Sequence, residues 1–334
     1  MKKEDLRIVF MGTPEFAVST LQALVEHAYN VVAVVTQPDK PVGRHGSVLQ
    51  PSPVKVFAEE HGLPVLQPDK LRDADFVAHL RSYQANLQVV VAFRMLPEVV
   101  WAMPAYGTFN VHAALLPQYR GAAPINWAVI NGETLTGVTT FFLDHDIDTG
   151  RIIMQLPFNI PDEADVEYVY DGLMHLGADI CLKTLERIIA ADGHPQTTAQ
   201  SEREEDGASK KAPKIFKDTC QISWQQPQKR IYDFVRGLSP YPGAWTTLVS
   251  PDGREAVLKV YHTTKTSLPV PAADALGGVG ETTVGHIVVG RKQLYVVTAD
   301  GLLQVDELQL AGKKRMDAAA FINGMKNLEN YFFK

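Results

Sequence analysis

The chain has 334 residues, 46% of them hydrophobic and 21% charged, which suffices for two domains with a core each and excludes a chain disordered throughout. Two cysteines, Cys181 and Cys220, sit in unrelated contexts without CxxC spacing, which argues against a disulfide framework and a zinc site and for a reduced, cytoplasmic compartment. The net charge of −6 hides an asymmetry: residues 1–206 carry 15 basic and 27 acidic groups, and residues 207–334 carry 17 and 11, so the second half suits an anionic partner as well as an ordinary mixed surface.

In chain order, the opening MKKEDLRIVFMG lacks the apolar run of a signal peptide, and no stretch approaches the roughly 20 apolar residues of a membrane span, so a soluble protein is expected. Residues 6–12 read as a strand, Thr13 and Pro14 as a helix start, 16–27 as an amphipathic helix and 30–36 as a second, nearly all-apolar strand. Gly12 has no GxGxxG around it, so no dinucleotide site is expected there. Residues 37–55 hold four prolines and read as an exposed loop, whose Lys40, Arg44 and Lys55 suit phosphates or plain solvent. Helices at 53–61 and 73–82 alternate with strands at 63–66 and 87–93, which predicts a doubly wound, Rossmann-like α/β domain with ligands beyond the carboxyl ends of its strands.

A strand over 108–112 puts the side chains of Asn110 and His112 on one face, and Pro117, Gly121 and Pro124 break the following stretch into a shaped loop. A further strand over 136–143 leads into the carboxylate-rich turn Asp144-His145-Asp146-Ile147-Asp148. The segments 93–96, 110–117 and 144–148 each follow an apolar strand and are expected to share one sheet edge. A long helix spans 165–191 and a polar stretch follows. The domain reading is a catalytic domain over 1–193, a linker over 194–214 and a C-terminal domain over 215–334. In the last, a helix at 227–237 and five short strands between 244 and 309 predict a small antiparallel, OB-like barrel with a long insertion at 263–283.

An amide and an imidazole two residues apart suit acyl chemistry. Asn110 and a protonated His112 can donate to an oxygen that becomes negative at an acyl carbon, and Asp148 can orient His112 and help move a proton. A structural role for a lone Asn-x-His remains open. So does a metal site built from His112, Asp144, His145, Asp146 and Asp148, although no HxxxH or HExxH supports it; no metal is expected.

The stretches FNVHAALLPQYRGAAPINWAVINGE and TGVTTFFLDHDIDTG closely resemble the folate-dependent formyltransferases. IVFMGTPEFA, TQPDKPVGR, PSPVK, RGLSPYPGAW and LQLAGKK extend the resemblance over nearly the whole chain. It implies formyl transfer from 10-formyltetrahydrofolate to the α-amino group of methionine on initiator tRNA, by a monomer, with Asn110, His112 and Asp148 as catalytic residues. It places folate along Ala114, Leu115, Leu116 and Pro117, with the pterin end near Phe93, Arg94, Met95, Leu96 and Asp144. It assigns tRNA contacts to Arg44 in the first loop and to Lys210, Lys211, Lys313 and Lys314 of the basic half. The chain departs from the family's usual Ser-Leu-Leu-Pro at Ala114 and from its usual Tyr-Gly at Phe93-Arg94. Two rivals stand beside this reading: a formyltransferase acting on a sugar nucleotide or another metabolite, and a catalytically silent RNA-binding protein.

Overall fold

A computed structural model describes residues 1–42, 48–203, 209–270 and 284–334. Arg44 and most of the insertion at 263–283 lie outside the described residues. By contacts the chain divides into two compact units. One comprises Met1–Pro124, Leu135–Asn159 and Tyr170–Pro213; the other comprises Ile125–Thr134, Ile160–Val169 and Lys214–Lys334.

The first unit is built on β1 (Ile8–Gly12), β2 (Val31–Val35), a small hairpin of β3 (Lys40–Val42) and β4 (Val48–Gln50), β5 (Val65–Leu66), β6 (Leu87–Val91), β7 (Thr108–His112), the two-residue β8 (Arg120–Gly121), β9 (Leu135–Phe142) and β10 (Ile152–Asn159). The main sheet runs β10-β9-β7-β6-β1-β2-β5, parallel from β5 to β7 and antiparallel at β9 and β10. Chain order reverses between β1 and β6, the switch point at which α/β sheets open a crevice. Every residue of β1 and β6 is buried, as expected of mainly apolar strands covered on both faces; Gln88 of β6 is the polar exception and accepts the Thr108 hydroxyl.

Helices α1 (Glu15–Glu26), α2 (Pro53–Glu60), α3 (Ala74–Ser82), the single turn α4 (Glu98–Trp101), α5 (Pro124–Ile130) and α6 (Val166–Ala190) follow in chain order. Ser52 and Asp73 cap α2 and α3 through their side chains, the expected work of such residues ahead of a helix. Thr13 does not cap α1: its hydroxyl is buried without a partner, and the Phe16 N–H instead donates to the Tyr170 hydroxyl at 2.9 Å. The loop expected at 37–55 contains the β3–β4 hairpin, and Lys55 is held by Asp39 at 2.7 Å. That hydrogen bond raises the Lys55 ammonium and lowers the Asp39 carboxyl from their ordinary ranges.

One expectation fails on strand direction. Antiparallel β9 pairs Phe142 with Phe109 and Thr139 with His112, so the turn after β9 leaves from the edge where β7 begins. The segments after β6, β7 and β9 therefore do not share one edge, and residues 143–151 must fold back to reach His112. Apolar patterning marks strands but carries no sign for their direction.

Lys211–Ala212 (β11) pairs with β8 and belongs to the first unit. The second unit carries α7 (Gln228–Arg236), β12 (Ala244–Val249), β13 (Glu255–Thr264), β14 (Ile287–Val289), β15 (Leu294–Val297), β16 (Leu302–Leu310), β17 (Met316–Asp317), α8 (Ala318–Gly324) and β18 (Phe332–Phe333). The strand order β14-β15-β16-β13-β12-β18 returns on itself through the bridge from His286 to Phe332, closing a small antiparallel barrel. Closure needs glycine at 285: its φ is +91°, and a Cβ there would lie 2.1 Å from the Phe333 carbonyl oxygen. Trp224, Ile231, Val260, Leu303 and Phe333 are among the core residues, and the Trp224 and Phe333 rings stack at 5.4 Å. Segments 125–134 and 160–169 join this unit by hydrogen bonds such as Arg236 to the Ala164 carbonyl at 2.7 Å.

Candidate active site

The C-terminal end of β7 sets the centre. Alternation along the strand leaves Asn110 half-buried and His112 buried, 6% exposed, and the sheet on either side fixes their backbone. The imidazole Nε2 lies 3.0 Å from the Tyr119 carbonyl oxygen, and a carbonyl only accepts, so Nε2 carries the proton. Nδ1 faces the Asp148 carboxylate at 3.9 Å, beyond hydrogen-bond reach but within the range that catalytic contacts close when ligand binds. The Asn110 Oδ1 is buried with no hydrogen-bond partner. Such an orphan is costly, and at the end of a sheet it marks a position where a ligand completes the bonding.

Two left-handed residues shape the surroundings. Tyr119 has φ 61° and turns its carbonyl onto His112; Asp148 has φ 55° and turns its carboxylate onto the loop opposite. There Oδ2 accepts the Gly121 N–H at 3.0 Å, a charge-assisted bond that holds the carboxylate facing the imidazole. Non-glycine residues in this region carry strain of about 1–3 kcal/mol each and persist where neighbouring contacts over-determine them. Phe141 meets the His112 ring edge to face at 6.3 Å.

The loop after His112 is anchored by its own backbone. The Thr139 hydroxyl donates to the Ala114 carbonyl at 2.6 Å, Leu116 N–H donates to Thr139 at 3.1 Å, and Gln155 donates to the Leu116 carbonyl at 2.8 Å. The side chains of Ala114 and Leu116 are buried and Pro117 is buried behind a cis peptide, so Leu115 is the side chain of this segment that is partly open. After β6, Phe93 is partly buried, Met95 is exposed and Leu96 is buried. Arg94 donates to the carbonyls of Pro68 and Asp69, and burial pushes its guanidinium below its usual range. Asp144 is exposed and organises its own turn, accepting the Thr149 hydroxyl at 2.7 Å and the Asp146 N–H at 3.3 Å.

The basic residues separate. Lys313 and Lys314 lie exposed in the turn after β16 of the second unit. Lys210 and Lys211, expected with the basic half, belong to the first unit, where the Lys210 carbonyl accepts the Tyr119 N–H at 2.6 Å and Lys211 pairs with Arg120. Among the described residues, no group of three or more His, Cys, Asp or Glu side chains is arranged to hold a metal ion, and no helix is long and apolar enough to cross a membrane.

Sequence reading missed Gln200, Tyr119 and Gly121. Gln200, in the polar stretch read as linker, is 4% exposed; its Oε1 accepts Arg120 Nε at 2.9 Å and Nη2 at 2.6 Å, and its Nε2 donates to the Asp148 and Gly150 carbonyls at 2.8 Å each. No local pattern marks it. Tyr119 acts through its carbonyl and Gly121 through its N–H, groups that every sequence offers and only the fold aims.

The sequence profile of the formyl transferase family matches residues 6–185, and that of the formyl transferase C-terminal domain matches residues 214–326. The chain is 58% identical over 332 residues to the methionyl-tRNA formyltransferase of Parabacteroides distasonis, covering 99% of both chains. It is 53% identical over 334 residues to the methionyl-tRNA formyltransferase of Bacteroides fragilis, covering 100% of this chain and 99% of that one. Among solved structures, HypX of Aquifex aeolicus in complex with tetrahydrofolic acid superposes with a TM-score of 0.58 at 16% identity, a likeness of fold over 95% of this chain and 47% of HypX.

Proposed function

Because this chain belongs to the formyl transferase family, we propose that it transfers a formyl group from 10-formyltetrahydrofolate to the α-amino group of methionyl initiator tRNA. The observation that carries the reaction is the convergence of Asn110, with its buried unpaired oxygen, His112 and Asp148 at one end of β7. An amide with an unpaired oxygen beside an imidazole fits a polar acyl group, and the partly open Leu115 and Phe93 with the exposed Met95 would flank a flat heterocycle. Ala114, Leu116, Pro117 and Leu96 would back that wall, with Arg94 tying its segment to Pro68 and Asp69 and Asp144 ordering its own turn. The folate, when bound, supplies the activated formyl group.

The residues then divide the work. The Asn110 amide, rotated so that its nitrogen points into the site, donates to the oxygen that gains charge as the amine attacks; one such donor contributes about 10²–10³ in rate. His112 is held by the Tyr119 carbonyl with Nδ1 turned to Asp148, so as the 3.9 Å gap closes this pair would take the proton released by the attacking amine and pass it to the folate nitrogen, which leaves as its bond to the formyl carbon breaks. Gly121 keeps the Asp148 carboxylate in place during that transfer. A water-poor site strengthens each of these contacts. The amine requirement is checked with N-acetylated methionyl initiator tRNA: it should accept no formyl group, and transfer to it would show that a different atom is attacked.

The tRNA grip is a second, separable part. Lys313 and Lys314 are exposed lysines of the basic C-terminal half of the chain, suited to phosphates; Arg44, outside the described residues, would contribute from the first loop, and Lys210 and Lys211 would act beside the site itself. Replacing Lys313 and Lys314 by alanine is expected to reduce the salt slope of tRNA binding by about one unit per lysine while leaving the rate at saturating tRNA near wild type. Binding measured across a salt series checks this; an unchanged slope would remove both residues from the interface.

A further inference from the structure

We propose that Gln200 is a positioning residue for the catalytic pair, acting through Asp148, and that residues 197–200 and 210–212, which lie between the two family domains, are part of the active site. The inference rests on Asp148 being catalytic. Its ground is a closed ring of bonds. The Asp148 carbonyl accepts Gln200 Nε2, Gln200 Oε1 accepts Arg120, the next residue Gly121 donates its N–H to Asp148 Oδ2, and the ring returns to the residue where it began. Backbone and carboxylate of Asp148 are thus fixed by one set of contacts, which is what a residue at φ 55° requires to stay there.

The amide chemistry is specific. Gln200 uses both hydrogens of Nε2, on the carbonyls of Asp148 and Gly150, and accepts two N–H groups at Oε1, both from Arg120. A glutamate keeps the acceptor side and loses both donors; a methionine matches the length and loses everything. At 4% exposure, water does not readily replace these bonds. The same segment is fastened separately by Arg151, which donates to the Thr197 hydroxyl at 2.7 Å and carbonyl at 2.8 Å, and by the reciprocal bonds of Ile152 and Thr198 at 2.9 Å. Past residues 204–208, Lys210 and Ala212 bind the backbone of Tyr119, Ala122 and Ala123. The connector therefore touches both halves of the site: the turn carrying Asp148 and the loop whose carbonyl holds His112.

The test compares full-length Gln200→Glu, Gln200→Met, Asp148→Asn and Arg151→Ala in formyl transfer, with melting curves and pH profiles of kcat. Gln200→Glu and Gln200→Met should lower kcat by about tenfold or more, with KM for both substrates within about threefold, and alter the pH profile of kcat. Arg151→Ala, which loosens the segment without touching the ring, should keep kcat and pH profile. Should Gln200→Met fail to fold, Gln200→Glu, which keeps Arg120 bonded, carries the comparison. Wild-type kcat and pH profile in the Gln200 variants beside an inactive Asp148→Asn would overturn this inference alone, as would equal losses in Arg151→Ala. A fully active Asp148→Asn would overturn the catalytic assignment itself and this inference with it.

Discussion

Replacing His112 by alanine is expected to lower formyl transfer by about 10²–10⁴-fold at saturating substrates, with binding of folate and tRNA changed by no more than about threefold. The reason lies in what the ring touches. Its Nε2 is bound to a backbone carbonyl and its Nδ1 faces a carboxylate, so loss of the ring is expected to cost the reaction more than the binding of either substrate. Alanine removes the proton-transfer group and leaves Asn110 in place, which retains part of the transition-state stabilisation. Single-turnover rates with pre-bound substrates check this directly. A loss confined to KM would show that His112 binds rather than reacts.

The second large effect is structural and remote from any reacting atom. Gly150 follows Asp148 by two residues, and a Cβ on it would lie 1.6 Å from the Phe142 carbonyl oxygen and 2.9 Å from its carbon. Both obstacles are backbone, at the end of β9, so neither can swing aside. Gly150→Ala must push the 143–151 turn away from the sheet, carrying Asp148 out of range of His112 and breaking the Gln200 bond to the Gly150 carbonyl. The expected result is a loss of activity of at least about 10²-fold together with a destabilisation of about 1–3 kcal/mol or more. Gly324→Ala is the control, since a methyl there meets nothing within 4 Å. Activity and melting temperature measured on both variants decide the matter; wild-type activity in Gly150→Ala would mean the turn does not need its observed packing.

The parts of this molecule legible in sequence are those encoded by local periodicity. Val89, Val90 and Val91 are buried on both faces because they are apolar on both faces, and Asn110 and His112 share a face because a strand alternates. Short strands after residue 244 announced a small antiparallel barrel, and closure through His286 and Phe332 agrees with it. Strand direction was not legible: Thr136 to Phe142 reads the same parallel or antiparallel, so nothing local shows that the Asp148 turn starts at the opposite edge and folds back to His112. Long-range polar contacts were equally hidden. Gln200 looks like any glutamine in a polar stretch until the fold buries it against Arg120 and Asp148. The resemblance to a known family pointed to Asn110, His112 and Asp148; the geometry adds what holds them.

The most direct measurement is the initial rate of formyl transfer from 10-formyltetrahydrofolate to three acceptors under one condition: methionyl initiator tRNA, methionyl elongator tRNA and a nucleotide-linked amino sugar. The account predicts rapid transfer to the initiator species alone. Transfer to the amino sugar with none to either tRNA would contradict it.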